Sequence, residues 1–324
     1  MLFKDVGVLL YQGMRIAFII FIFILSNKAL AQSPSELIKR VSKEVADSYI
    51  QPLVTSVGTA VGGGLFHTAK SHSTLGFDIG IKIIAVPIPS SARTFEKTFD
   101  FYYPITGGSE IPITVTTDGK AQTILGEDKE TKLKSVGQSP VTDGALPSLP
   151  GGINLPIPVV PIAFPQISLG VYKGTEILIR GIYLPKILKD DVIVAGGAIK
   201  WEFTNIIPGV SHFINASPQL SYQYLKIGNI GTGKTVAGNI HTSTDIIPII
   251  TPYFGLGYEY TSFVFIYEFS QDGKKQRVKI STNGENDFRA TFGITLRLTF
   301  MRFNIDYNFG RFPSITSGIS LSVR

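Results

Sequence analysis

The chain has 324 residues, a formal charge of +6, 44% apolar residues, 33 glycines, 19 prolines and no cysteine. The absence of cysteine excludes a disulfide framework, a thiolate metal site and a lipid-anchored lipoprotein. So mild a positive balance does not call for nucleic acid, and it suits attraction to acidic lipid headgroups as well as anything else.

Residues 1–31 read as a secretory signal peptide. Arg15 supplies the positive end, Ile16 to Leu25 is a run of ten apolar residues, and Ala29-Leu30-Ala31 is a small-x-small cleavage site before Gln32. The run is too short to cross a bilayer as a helix. Met14–Ala31 is a complete signal by itself, so Met1 and Met14 are both candidate starts. No later stretch of eighteen apolar residues follows. An exported, greasy chain without disulfides then needs either a large soluble core or strands set in a membrane.

Ser33-Pro34-Ser35-Glu36 reads as a helix start, with Ser33 as cap, Pro34 in the first turn and Glu36 closing a capping box. Leu37, Val41, Val45 and Tyr49 recur every four residues, while Lys39, Arg40, Lys43, Glu44 and Asp47 fill the other side. Together with Leu53 these apolar residues are the candidate contacts of a plug. The helix is expected over Ser35–Leu53, and Thr55–Gly64, small and Gly-rich, as a flexible or closely packed crossing. Residues 32–64 would form one N-terminal unit. Such a helix has three possible places: over a sheet, inside a barrel lumen, or on a membrane surface.

Alternation then takes over. Thr74–Ile88 and Thr94–Tyr103 read as two strands joined around Pro87-Ile88-Pro89-Ser90, and Ile113–Thr117 with Ala121–Leu125 as a hairpin around Asp118-Gly119. Residues 126–158, charged and then rich in Pro and Gly, read as a long surface loop or a lumen-filling insertion. Strand signals resume near Pro161–Val171, Glu176–Leu184, Val192–Asn205, Phe213–Ile227, Val236–Thr242, Thr251–Phe269 (one strand or two) and Arg277–Thr282. The last residues are the most regular. Phe288, Ala290, Phe292, Ile294, Leu296 and Leu298 alternate with Arg289, Thr291, Gly293, Thr295 and Arg297, and the pattern repeats from Phe303 and from Ile319.

The expected fold is all-β: a transmembrane antiparallel up-and-down β-barrel of about 12–14 strands over residues 65–324, preceded by the amphipathic helix. Alternation leaves open which face is buried. A soluble sandwich hides the apolar face, whereas a membrane barrel turns it to lipid. Aromatic clusters at strand ends (Phe99, Phe101, Tyr102 and Tyr103; Tyr258, Tyr260 and Phe263; Phe265, Tyr267 and Phe269; Phe309 and Phe312) suit interfacial girdles or core packing.

Gly228 to Thr235 matches the phosphate-cradling pattern GxxxxGK[ST] letter for letter. That loop works between a buried parallel strand and a helix. Here exposed-strand alternation precedes it and β-branched residues follow, so a polar hairpin is expected. The four histidines are His67, His72, His212 and His241; the first two are five apart with no nearby Cys or obvious carboxylate partner, a metal site needs three or four ligands at suitable spacing, and no nucleophile elbow is present. Neither a catalytic nor a metal or cofactor site is expected, and the chain is not read as an enzyme.

The ending Thr316-x-Gly318-x-x-Leu321-x-Val323 is similar to the terminal insertion signal of outer-membrane barrels, departing from it in the non-aromatic close, Val323-Arg324. Several stretches resemble an uncharacterised family of outer-membrane barrel proteins from Bacteroidota and relatives. They are Tyr49-Ile50-Gln51-Pro52-Leu53, His67-Thr68-Ala69-Lys70, Leu75-Gly76-Phe77-Asp78, Pro165-Gln166-Ile167-Ser168-Leu169-Gly170, Lys173-Gly174-Thr175-Glu176 and Thr251-Pro252-Tyr253-Phe254-Gly255-Leu256-Gly257-Tyr258. The resemblance brings no site residues. A helix ahead of a barrel also resembles the outer-membrane fatty-acid and hydrocarbon transporters in architecture. These resemblances imply a Gram-negative outer-membrane location. The expected partners are membrane lipids, lipopolysaccharide, the insertion machinery and a small hydrophobic ligand that is passively admitted or held, with no nucleic acid. A structural or adhesive surface barrel and a soluble periplasmic β-protein are the alternatives.

Overall fold

The computed structural model describes residues 43–105, 110–187, 190–207, 213–271 and 274–323. The signal peptide, the cap at Ser33, Leu37, Val41 and His212 lie outside the described residues. Helix α1, Lys43–Gly62, comes first. Strand β1, Phe77–Pro87, follows an extended strap, residues 63–76. Five short strands come next: β2 (Thr94–Phe95), β3 (Thr98–Pro104), β4 (Glu110–Thr117), β5 (Ala121–Gln122) and β6 (Leu133–Ser135). Then come β7 (Val159–Gly170), β8 (Thr175–Ile187), β9 (Asp190–Trp201), β10 (Asn215–Ile227), β11 (Gly231–Ser243) and β12 (Ile250–Gln271). The last are β13 (Lys274–Asn283), β14 (Phe288–Leu298), β15 (Met301–Gly310) and β16 (Ser314–Val323).

Ten of these strands make one closed antiparallel wall, in the order β1, β7, β8, β9, β10, β11, β12, β14, β15, β16 and back to β1. Closure abolishes the unpaired edges that a sheet would otherwise expose. The seam pairs Phe77 with Val323 and Ala85 with Ile315. Strand β12 is long enough to pair with β14 through Ile250–Tyr258 and then, above the wall, with β13 through Ser262–Gln271.

The wall is inside-out. On β16, Ser314, Thr316, Ser320 and Ser322 are buried while Ile315, Ile319, Leu321 and Val323 are exposed. On β15, Arg302, Asn304, Asp306 and Asn308 face inward and Ile305, Tyr307 and Phe309 face outward. The same division holds on β8, where Glu176 and Arg180 are buried between exposed Ile177, Ile179 and Tyr183. Polar side chains line the interior and an apolar belt covers the outside, as a wall solvated by acyl chains requires. Tyr183, Tyr222, Tyr258, Tyr260, Tyr307 and Phe309 are exposed toward the rim where β1 ends, called here the upper rim. Tyr172, Trp201, Phe213 and Phe300 are exposed at the opposite, lower rim. Aromatic rings with a polar tip or edge favour those two levels of a bilayer.

Several expectations change. The wall has ten strands rather than 12–14, because β2 to β6 belong to an excursion between β1 and β7 and β13 stands above the wall. Thr251–Phe269 is one strand. The segment Thr94–Tyr103 does not pair with β1, whose partners are β7 and β16. Nor do Ile113–Thr117 and Ala121–Leu125 form a hairpin: β4 lies between β3 and β6, while β5 pairs with β2. Turn chemistry at Asp118-Gly119 was local, whereas Phe99, Phe101, Ile113, Val115 and Leu133 share a small core of their own that decides the pairing. Phe99 and Phe101 therefore belong to that core, and Phe263 and Phe312 are buried inside the barrel, none of them in a girdle. The wall begins at Phe77, so residues 65–76 run within the barrel that the sequence counted them as building.

Facing distinguishes this wall from a soluble one in a measurable way. Ile294, mid-strand on β14, is 48% exposed. Ile294→Arg should cost about 2–4 kcal/mol of folding stability in lipid vesicles, where a cation at mid-belt is penalised. On a water-facing surface the change stays within about 0.5 kcal/mol. Urea-titrated folding reads the difference.

Candidate functional site

The interior is occupied by the chain that precedes the wall. Helix α1 enters at the upper rim and descends, and the strap carries the chain on to the lower rim, where β1 begins. The helix does not stop at Leu53. It runs through Pro52 and the Gly-rich stretch to Gly62. Two faces explain this. Val54, Val57 and Val61 recur at helical spacing and pack with Ile84, Phe164, Ile182, Leu184 and Leu225 of the wall. Full burial of Val54 and Val61 contributes about 1.5–3 kcal/mol each. The other face is Thr55, Gly58, Thr59 and Gly62. A methyl group on Gly58 would overlap Thr261, and one on Gly62 would overlap the Glu259 carboxylate. The glycines that suggested a crossing are what let the helix approach β12 so closely.

Of the plug candidates within the described residues, Val45 is buried in the core of the upper excursion with Phe99, Phe101 and Leu133. Tyr49 donates its hydroxyl to the Gly151 carbonyl at 2.8 Å, and its own carbonyl accepts from the Ile124 amide at 3.0 Å. Leu53 packs partly buried against the main apolar cluster. Residues 126–158 thus close over the top of α1.

A helix ending inside a barrel leaves carbonyls that water cannot reach. Two arginines from different strands take them. Arg180 on β8 donates to Gly63 O at 2.7 Å and also to Val61 O, while its Nε donates to Gln223 at 2.8 Å and its guanidinium lies over the Phe164 ring. Arg289 on β14 donates to Thr59 O at 2.7 Å and holds Glu259 through Nε and Nη2 at 2.9 and 2.8 Å. Both cations also sit at the negative end of the helix dipole.

The strap is satisfied in the same manner. Thr295 donates to His67 O and Ser217 to Ala69 O, both at 2.6 Å. Ser243 accepts from the Ala69 amide at 2.9 Å, and Glu202 accepts from the Ser71 amide and hydroxyl at 2.5 and 2.7 Å. Glu176 faces His72 at 2.8 Å and Lys200 at 3.0 Å, and the other His72 nitrogen lies 3.1 Å from Ser322. His67 lies 3.5 Å from Asp78, and Phe66 stacks on His241 at 4.1 Å. The two histidines that lacked carboxylate neighbours in sequence gain Asp78 and Glu176 by folding. Tyr253 lies over Gly293 and donates to Asp306 at 2.7 Å, and Lys82 donates to Asn304.

Little space remains. The cavity beside Gly62–Phe66 measures about 30 Å³, against about 300–1,000 Å³ for a ligand pocket. A larger concavity, about 660 Å³, lies on the outer wall over β12, β14 and β15, lined by Phe254, Phe292, Ile294, Ile305 and Tyr307. The stretch Gly228–Thr235 is the turn between β10 and β11 and the start of β11, with neither the parallel strand nor the helix of a phosphate loop. Among the described residues no group of three or more His, Asp or Glu is placed to hold a metal. Thr316, Gly318, Leu321 and Val323 lie on the closing strand, with Thr316 inward and Leu321 and Val323 on the belt.

Removing Arg289 would strand Glu259 in the interior. Arg289→Met should cost about 3–5 kcal/mol, and adding Glu259→Gln should recover part of it, as a urea series on the single and double variants would show.

Among solved structures the chain is similar to an outer membrane channel from Pseudomonas putida F1, at 8% identity and a TM-score of 0.33, covering 78% of this chain and 98% of that one. It is similar to the beta domain of the Bordetella autotransporter BrkA at 12% identity and 0.33, covering 77% and 100%. It is also similar to Ail, the attachment invasion locus protein of Yersinia pestis, at 8% and 0.23, covering 76% and 97%. At these identities and scores none of them lends this chain a residue or a role. No curated protein matches it. Residues 12–323 match the family of unknown function DUF6588, and the chain belongs to that family.

Proposed function

We propose that this protein is an integral outer-membrane β-barrel, without enzymatic activity, that admits or holds small hydrophobic molecules passively and is closed at rest by its own α1 and strap. The observation that carries the reading is the combination of an apolar outer belt with a polar lumen whose side chains bond the backbone of residues 59–72. Val45, Tyr49 and Leu53, with Leu37 and Val41 before them, would belong to the closing segment. A filled interior turns attention to the outer wall: the groove over β12, β14 and β15 has the size and lining for a small apolar guest, which would reach it from the bilayer. The architecture resembles the fatty-acid and hydrocarbon transporters to this extent. Export by residues 1–31 and recognition of Thr316, Gly318, Leu321 and Val323 by the insertion machinery complete the proposal.

A second reading, a structural or adhesive surface barrel, is supported by the packing of Val45 into the upper excursion, which ties the displayed part to the lumen. A soluble periplasmic protein would leave membranes on carbonate washing. The transport and structural readings part in planar bilayers and in uptake. Full-length protein should conduct little, and removal of residues 35–64 should raise single-channel conductance. An unchanged trace from a folded deletion variant would count against the plug. Equal uptake of a hydrophobic substrate with and without the protein would favour the structural reading.

A further inference from the structure

The motif at Gly228–Thr235 leaves one residue without a role in nucleotide chemistry, Lys234. It is exposed on the outer face of β11 near the upper rim. Lys226 on β10 and Lys279 on β13 are exposed on the same side. Register places them together. Lys226 stands opposite Thr232, two residues before Lys234, while Val264 and Ser281 continue that row across β12 and β13. Lys279 stands two pairs higher, opposite Ile266. With strands about 4.8 Å apart, the three fall within about 15 Å along the rim.

Directly below is the tyrosine level. Tyr224 pairs with Lys234, and Tyr222, Val236 and Tyr260 form the next row down. A cation on the lipid face is costly at mid-belt and nearly free at the interface, so these lysines mark where headgroups begin. Among the described residues none of the three has an ion-pair partner. Asp191, on β9 beside the upper end of β10, already accepts from the Tyr183 hydroxyl at 3.0 Å. The row is therefore open to a counter-charge from outside the chain. The upper rim also bears the longest excursion, residues 88–158, which is the mark of the outer side of such barrels.

We propose that Lys226, Lys234 and Lys279 form a docking row for the phosphate groups of the outer-leaflet glycolipid, and so fix the upper rim at the cell surface. The proposal rests on the outer-membrane reading and names the contact that seats the barrel. Each ammonium is a mobile point charge on a long stem, suited to phosphates at the membrane surface.

The test uses the full-length protein in nanodiscs containing phosphorylated lipid A or the same lipid stripped of its phosphates. Wild type should retain the phosphorylated form preferentially. The variant Lys226→Gln/Lys234→Gln/Lys279→Gln should retain it at least about tenfold more weakly, with the stripped lipid unaffected and heat-modifiable migration intact. Equal retention by variant and wild type, or no preference of the wild type for phosphate, would overturn the lysine row. Orientation is read separately. Lys120→Cys, the sole thiol in the chain and exposed on the upper excursion, should react with an impermeant maleimide on intact cells. Labelling with no lysine effect sinks this inference alone. Labelling only after lysis sinks the orientation, and a protein absent from the outer membrane sinks the reading beneath both.

Discussion

The structure depends on satisfying backbone that has been placed where water does not reach. Carbonyls at Thr59, Val61 and Gly63 end a helix in the middle of a barrel, and Arg180 and Arg289 reach them from the wall. An unpaired buried carbonyl carries its full desolvation penalty, and a buried arginine carries a larger one. Each fault is cured by the other. Glu259 completes the neutralisation, and the small residues of α1 bring the helix close enough for the bonds to form.

The strap extends the same logic downward. Only its end bonds a strand through its backbone, Leu75 and Gly76 to Gly170 of β7, so amides and carbonyls before that are taken by Ser217, Ser243, Glu176, Glu202 and Thr295. Four of them, Ser217, Ser243, Glu176 and Thr295, are inward members of alternating strands whose outward members include Leu220, Ile240, Ile177 and Ile294, and Glu202 directly follows β9. One period-two pattern thus supplies a belt for acyl chains and a lattice of donors and acceptors for the chain enclosed by the wall. A polar lumen that would otherwise fill with water is instead filled with chain.

Two apolar regions coexist with the polar lumen. The upper half of the interior packs Val54 and Val61 of α1 against Ile84, Phe164 and Leu184, and the excursion between β1 and β7 has a core that includes Val45. The helix spans both. Its first turns belong to the upper excursion and its last turns to the barrel, so one helix joins the two cores.

Composition and alternation determined that this chain is all-β with a helix ahead of its strands, because a side-chain period of two and an apolar stripe every four residues are local properties of the backbone. They did not determine the strand count, since Thr94–Tyr103 and Ile113–Thr117 alternate as well as any wall strand and were diverted by a separate core. Nor did they place the helix end: Gly58 and Gly62 read locally as breakers, and only contact with Thr261 and Glu259 makes them helical. Asp78 and Glu176 as partners of His67 and His72, and the inward turn of the polar face, were decided by closure. Which side of an alternating strand is inside is a property of the neighbour it meets, and the wall meets its neighbours only when Phe77 has paired with Val323.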